Sequence, residues 1–204
     1  MNRKKITIIS IVVVLLLSVG GYMTYQKLKP KPFSEVAVEA KTDGFSNEEE
    51  LSNASDVILI GQLEKRGESQ VDRDVDGGIL AVFRMSDFKI SQVVKNDTEE
   101  NLVEGTIVPI YENEGYDEET NTTYHIAGYE KMENNENYML FLTYDPEDNY
   151  YVPVGVNFGK MNTDSEEETE LYGQDNVDAE KEINEVQSEA LDAYQDEIKE
   201  VENQ

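Results

Sequence analysis

Between residues 57 and 154 the apolar side chains fall in short runs, most with a period of two, separated by Asp-Gly, Asn-Asp and Asp-Pro steps. Successive side chains of a strand point to opposite faces, so this spacing predicts β-structure punctuated by turns. Residues 57–60 are apolar at every position, which predicts a strand covered on both faces. Ile79, Ala81, Phe83 and Met85 alternate, and Phe88 and Ile90 continue on the opposite parity. That change of phase predicts a bulge near Ser86-Asp87 in a bent strand. Asp76-Gly77-Gly78 supplies the turn before it. Residues 107–111 predict a strand in which Pro109 marks an edge or an irregularity. Tyr124 and Ile126 make a weaker strand. Leu140, Leu142 and Tyr144 alternate, as do Tyr150, Val152 and Val154, on either side of an Asp145-Pro-Glu-Asp-Asn turn. A bent strand among about six short ones suits a small five- to six-stranded barrel, with a β-sandwich as the alternative.

Helices are expected at both ends of this region. Ser46-Asn-Glu-Glu49 has the form of a capping box and predicts a short helix to about Ser55, with Leu51 and Ala54 buried. Residues 163–176 are acidic and polar and read as a linker. In residues 177–204, Ile183, Val186, Ala190, Tyr194 and Val201 share one helical stripe, with Ile198 beside it. The polar face is acidic, which disfavours a membrane surface and favours docking on the barrel or on a protein partner.

Residues 6–25 carry no charge and follow Arg3, Lys4 and Lys5. As a helix, twenty residues reach about 30 Å, the thickness of a hydrocarbon core. Tyr22 and Tyr25 suit an interfacial belt, and no A-x-A cleavage site follows. The stretch reads as a signal anchor that holds the chain in the membrane. The alternative is a signal peptide, with 6–17 as its apolar core and secretion after cleavage. The expected order is a cytoplasmic tail (1–5), the anchor (6–25), a spacer with Pro30 and Pro32 (26–42), an independently folding barrel (43–162), the linker and the helix.

Six of the 17 basic residues lie in 1–31, so the remaining chain sets 11 Lys and Arg against 44 Asp and Glu, a formal charge of −33. Such a body repels nucleic acid and anionic headgroups, and disfavours both as partners. There is no cysteine. Disulfides, thiolate nucleophiles, Cys–zinc sites and a lipoprotein lipobox are therefore excluded, and an exported domain must rest on core packing alone.

Ser55-Asp-Val-Ile-Leu-Ile-Gly61, Lys89-Ile-Ser-Gln-Val-Val-Lys95, Gly105-Thr-Ile, Asn137-Tyr-Met-Leu-Phe-Leu142 and Tyr151-Val-Pro-Val-Gly155 resemble a group of uncharacterised exported domains of Gram-positive bacteria. Their order resembles OB-type barrels of the netrin-like shape found in tissue inhibitors of metalloproteinases. The resemblance spans about residues 46–161 and implies a fold, through core and turn residues. Those inhibitors chelate zinc through an N-terminal cysteine, which this chain lacks, so the mechanism does not carry over.

Chemistry has few candidates. His125 is the only histidine and sits in the weak strand, where a structural role is the plainer reading. No nucleophile elbow or phosphate-binding glycine loop is present. Tyrosines crowd the second half of the barrel, and Tyr111, Tyr124, Tyr129, Tyr138 and Tyr150 are the candidate ligand-binding set, since faces of OB type bind through aromatics. Ordinary strand packing is the alternative. Asp72, Asp74 and Asp76, followed by Gly77, have the alternate-acid spacing of a calcium loop. Phe83 occupies the position of the bidentate glutamate, so the expectation is a hairpin turn, with a weak calcium site as the alternative. The function read from these features is a membrane-anchored extracytoplasmic binding module of unknown ligand, without catalysis. The alternatives are a cell-envelope hydrolase using carboxylates and a structural spacer.

Overall fold

Val57, Ile58, Leu59 and Ile60 are apolar without a break because the strand that holds them divides two cores. A computed structural model describes residues 31–164, 170–173 and 177–203. The expected tail and anchor lie outside the described residues, and no helix among the described residues is long and apolar enough to cross a membrane. The chain divides into two compact units, 1–33 and 34–204. The second carries the strands β1 (Ser34–Val38), β2 (Val57–Lys65), β3 (Ser69–Arg73), β4 (Ile79–Asn96), β5 (Ile107–Glu112), β6 (Glu114–Asp117), β7 (Thr122–Ile126), β8 (Asn137–Asp145), β9 (Tyr150–Pro153) and β10 (Lys160–Asn162). Its helices are α1 (Glu48–Ala54), α2 (Val177–Ala193) and α3 (Gln195–Glu202).

The fold is mainly β. Five strands, β8-β2-β4-β5-β9, form a closed hydrogen-bonded ring, because β9 pairs with both β5 and β8. Strand β10 pairs with the first part of β8, at Tyr138–Leu140, and β3 pairs with the start of β4. A second sheet has the order β1-β7-β6, with β1 parallel and β6 antiparallel to β7. Arg73 ties β3 to β6 through an ion pair with Asp117 at 2.6 Å.

One core fills the ring: Val57, Leu59, Phe88, Ile90, Val108, Ile110, Leu140 and Leu142 belong to it. The other lies outside the ring, where Ile58, Ile60, Met139 and Phe141 meet Leu51 of α1 and Ile183, Val186, Ala190 and Ile198 of the C-terminal helices. The expected helical stripe therefore docks on its own sheet. Tyr194, where α2 gives way to α3, bonds Glu48 through its hydroxyl at 2.9 Å and lies 3.2 Å from Ser52 Oγ.

Several expectations need correction. The expected capping box begins one residue later: Asn47 caps α1, accepting the Glu50 N–H at 2.9 Å, while the Glu50 carboxylate accepts the Ser46 N–H. Part of the expected spacer is β1. Its residues are mostly exposed, so apolar patterning had no hold on it. In β4 the buried residues keep one parity, Val82, Arg84, Ser86, Phe88 and Ile90. No phase change occurs at Ser86-Asp87, because Ile79, Ala81, Phe83 and Met85 lie on the outer face. The register slips instead leave Ser91 and Val94 unpaired on β4 and Glu64 unpaired on β2. Near the middle slip, a Cβ on Gly61 would stand 2.1 Å from the Lys89 carbonyl oxygen, so only glycine allows this approach.

Candidate functional site

The inner parity of β4 and β5 is apolar where it runs through the ring and polar beyond it. Phe88 and Ile90 lead to Ser86 and Arg84, and Val108 and Ile110 lead to Glu112 and, at the start of β6, Glu114. All four polar side chains are buried. Such groups are stable there only when paired. Glu112 accepts the Ser86 hydroxyl and, at 2.7 Å, the Met132 N–H. Burial pushes the Glu112 carboxyl above its ordinary 4.5, opposed by those two bonds. Glu114 takes the Arg84 guanidinium on Oε1 at 3.2 Å and the Lys131 N–H on Oε2 at 3.1 Å.

Next to Glu114 stands His125, on β7 and 4 % exposed. Its Nδ1 lies 3.0 Å from the Tyr129 carbonyl oxygen and 3.6 Å from Glu114 Oε2. Its Nε2 is buried without a hydrogen-bond partner, with Glu35 Oε1 of β1 at 3.9 Å. Tyr172 stacks on the ring, with centroids 4.1 Å apart and planes 15° apart. Tyr172 is held by its N–H bond to the Gly128 carbonyl at 2.9 Å, and Leu171 bridges to Tyr129. His125, Glu35, Glu114, Glu130, Lys131, Glu133, Glu170 and Tyr172 enclose a cleft of about 360 Å³. Residues 170–172, expected to be linker, thus form one wall of it.

The candidate tyrosines separate. Tyr129 and Tyr138 are fully buried, with Lys160 Nζ 5.4 and 5.2 Å from their ring centroids and paired with Glu170. Burial holds both phenols well above their usual range. The Tyr138 hydroxyl donates to Glu136 at 2.9 Å and accepts the Glu133 N–H at 2.8 Å. Neither side chain reaches the surface or lines the cleft. Tyr111 and Tyr150 do come together, with centroids 5.8 Å apart, and Tyr111 stacks on Phe83 at 4.5 Å on the outer side of the ring. Burial, then the neighbouring Tyr150, raises the Tyr111 phenol to about 12. Tyr124 lies apart on β7, its hydroxyl 3.4 Å from Thr120 Oγ1.

Asp72, Asp74 and Asp76 do not converge. Asp74 Oδ1 accepts the N–H groups of Asp76 at 2.9 Å and Gly78 at 2.7 Å, and so builds the hairpin turn. Asp72 is an exposed residue of β3, paired with Ala81. Among the described residues no group of three His, Asp or Glu side chains is placed to hold a metal ion.

Arg84, Ser86, Glu112 and Glu114 were missed as site residues because the apolar odd positions of β4 suggested the wrong inner face. Running the parity of Phe88 and Ile90 backwards places Ser86 and Arg84 inside, and the spacing Val108, Ile110, Glu112 does the same for β5. Glu35 and Tyr172 carried no such signal. No family model, no curated protein and no solved structure matches this chain.

Proposed function

We propose that the chain is a membrane-anchored extracytoplasmic binding module that works without catalysis, and that it binds through the cleft at His125. The observation that carries this is the unpartnered Nε2 of a buried histidine, in a cleft whose other polar groups are largely committed. The Glu112 and Glu114 carboxylates are occupied by protein donors, which supports binding over hydrolysis. The uncharged stretch 6–25 after three basic residues supports the anchor, and the charge of −33 on the remainder argues against nucleic acid as a partner. The five-strand ring is compatible with a small barrel of the OB or netrin-like kind, and we assign it there. The Asp74 turn we take as structural, with weak calcium binding by Asp72, Asp74 and Asp76 as the rival outcome of a calorimetric titration.

The test uses the full chain in detergent micelles as bait for a Gram-positive envelope extract. His125→Asn keeps an N–H donor for the Tyr129 carbonyl and deletes Nε2. Retained material that the variant no longer holds supports the cleft. Equal retention moves binding elsewhere, with the Phe83–Tyr111–Tyr150 face next in line. Protease added to intact protoplasts should remove the body, whereas full-length body in the medium would replace the anchor with a cleaved signal.

A further inference from the structure

The tautomer of His125 follows from its neighbours. A carbonyl oxygen only accepts, so Nδ1, 3.0 Å from the Tyr129 oxygen, carries the proton. In the neutral ring Nε2 is then a bare lone pair. It is buried, without a donor, and Glu35 Oε1, which is also an acceptor, lies 3.9 Å away. Two acceptors facing one another at that separation call for a donor shared between them. The stacked Tyr172 ring and the Tyr129 bond fix the imidazole plane, so the lone pair has a set direction.

Charge narrows the donor further. Of the cleft acids, Glu114 is paired with Arg84, Glu133 with Arg66 and Lys131, and Glu170 with Lys160. Among the described residues Glu35 and Glu130 have no lysine or arginine within ion-pair distance. An anion would meet these two carboxylates. An apolar group would leave the lone pair unsatisfied. The cleft, at about 360 Å³, is roughly tenfold the volume of one water molecule, enough for the end of a long side chain.

We infer that the cleft receives an ammonium or guanidinium group, such as the end of a lysine or arginine side chain of a basic peptide, which donates to His125 Nε2 and Glu35 together. This rests on the proposal that the cleft is the binding site, and names the class of ligand it takes. Glu35 supplies the charge, Nε2 the directed acceptor, and Tyr172 a ring face beside the incoming cation.

The single histidine makes the test direct, because the full chain labelled with ¹⁵N-histidine in micelles yields one pair of ring nitrogens. At a pH where the ring is neutral, the free protein should show the Nδ1–H tautomer. Titration with acetyl-Lys-Lys-Lys-amide should move the Nε2 resonance more than Nδ1, and saturably, while acetyl-Gln-Gln-Gln-amide should not. Glu35→Gln should weaken that binding at least fivefold, and Glu147→Gln, which removes the same charge from the distant β8–β9 turn, should leave it within twofold. Spermidine that saturates the same shift with the same loss in Glu35→Gln would support the ammonium class and identify a free polyamine as its source. Equal weakening by the two variants would reduce the effect to the general acidity of the body and overturn the inference. If only the glutamine peptide moves Nε2, the cleft remains a binding site and the cation is wrong. If the ring carries its proton on Nε2, or no probe shifts it, both the ligand class and the site fall.

Discussion

The same strands build two unlike interiors. Within the ring, β4 and β5 contribute Phe88, Ile90, Val108 and Ile110 to an apolar core. One or two pleats further along, they contribute Arg84, Ser86 and Glu112, and β6 adds Glu114, all buried and charged or hydroxylic. Apolar burial stabilises in proportion to area, whereas a buried ion pair recovers its desolvation cost only with complete hydrogen bonding. The polar end is therefore the expensive part of the fold. Its pairs hold His125 and the loop at Tyr129–Met132 in place, which gives a reason for keeping it that packing does not.

The largest effect should come from the helices, which cover the separate core outside the ring. Ile58, Ile60, Met139 and Phe141 rely on Ile183, Val186, Ala190 and Ile198 for cover. Removing residues 177–204 uncovers them, and urea unfolding followed by circular dichroism should lose its cooperative transition. A retained sharp transition would mean that the ring interior alone suffices, as the sequence suggests for residues 43–162.

The polar end can be broken more selectively. Arg84→Ala leaves buried Glu114 with Lys131 as its remaining cation, through the Lys131 N–H at 3.1 Å and ammonium at 3.6 Å, and should cost about 3 kcal/mol, as read from denaturant midpoints. Arg84→Met combined with Glu114→Leu removes both charges and should recover most of that loss. A double variant as unstable as the single one would show that the pair contributes more than its own neutralisation.

A smaller effect should depend on pH. Burial raises the Glu112 carboxyl above 4.5, so the folded state holds its proton more tightly than the unfolded chain does. This contribution to stability is complete below about 4.5 and is lost as pH rises through the raised value. Glu112→Gln carries no such titration. The advantage of the wild type over the variant in urea melts should therefore be greatest in acid and shrink towards neutral pH; the opposite trend would place the shift in the other direction.

The least change is expected on the outer aromatic row. Tyr111→Phe keeps the stack on Phe83 and should alter stability at neutral pH by no more than about 0.5 kcal/mol. Ultraviolet titration should lose a phenol that ionises at about 12. If Tyr111→Phe also abolishes capture of envelope material, binding belongs to this row and not to the cleft.

Much of the β-structure was legible because it is built from side chains with an unambiguous preference. Residues 57–60 read as a doubly covered strand, and they are one. The Ile183–Ala190 stripe read as a docking face, and it docks on its own sheet. What failed did so where polar residues face inward. In β4 the outer residues Ile79, Ala81, Phe83 and Met85 are the apolar ones and the inner residues include Arg84 and Ser86, so the alternation is present with its sense reversed. The four-residue β6 and the three-residue β10 are too short for a period to show. His125 was visible as the only histidine, but its partners come from β1, from β6 and from the wall at 170–172, far apart in sequence and joined only by the fold.

The closure of the ring has a consequence for how the molecule opens. Strand β9 is joined to β8 by four residue pairs but to β5 by the single parallel pair Ile110–Tyr151, and Pro109 beside it has no N–H to extend the ladder. The β5–β9 seam thus has the fewest backbone bonds to break, and the β8–β9 hairpin can lift from β5 as a sub-global excursion while β2–β4 stays zipped. Amide exchange at Tyr151 should then outpace that of equally buried Leu59. The Glu114–His125 geometry, held by β6 and β7, would be untouched while the ring breathes.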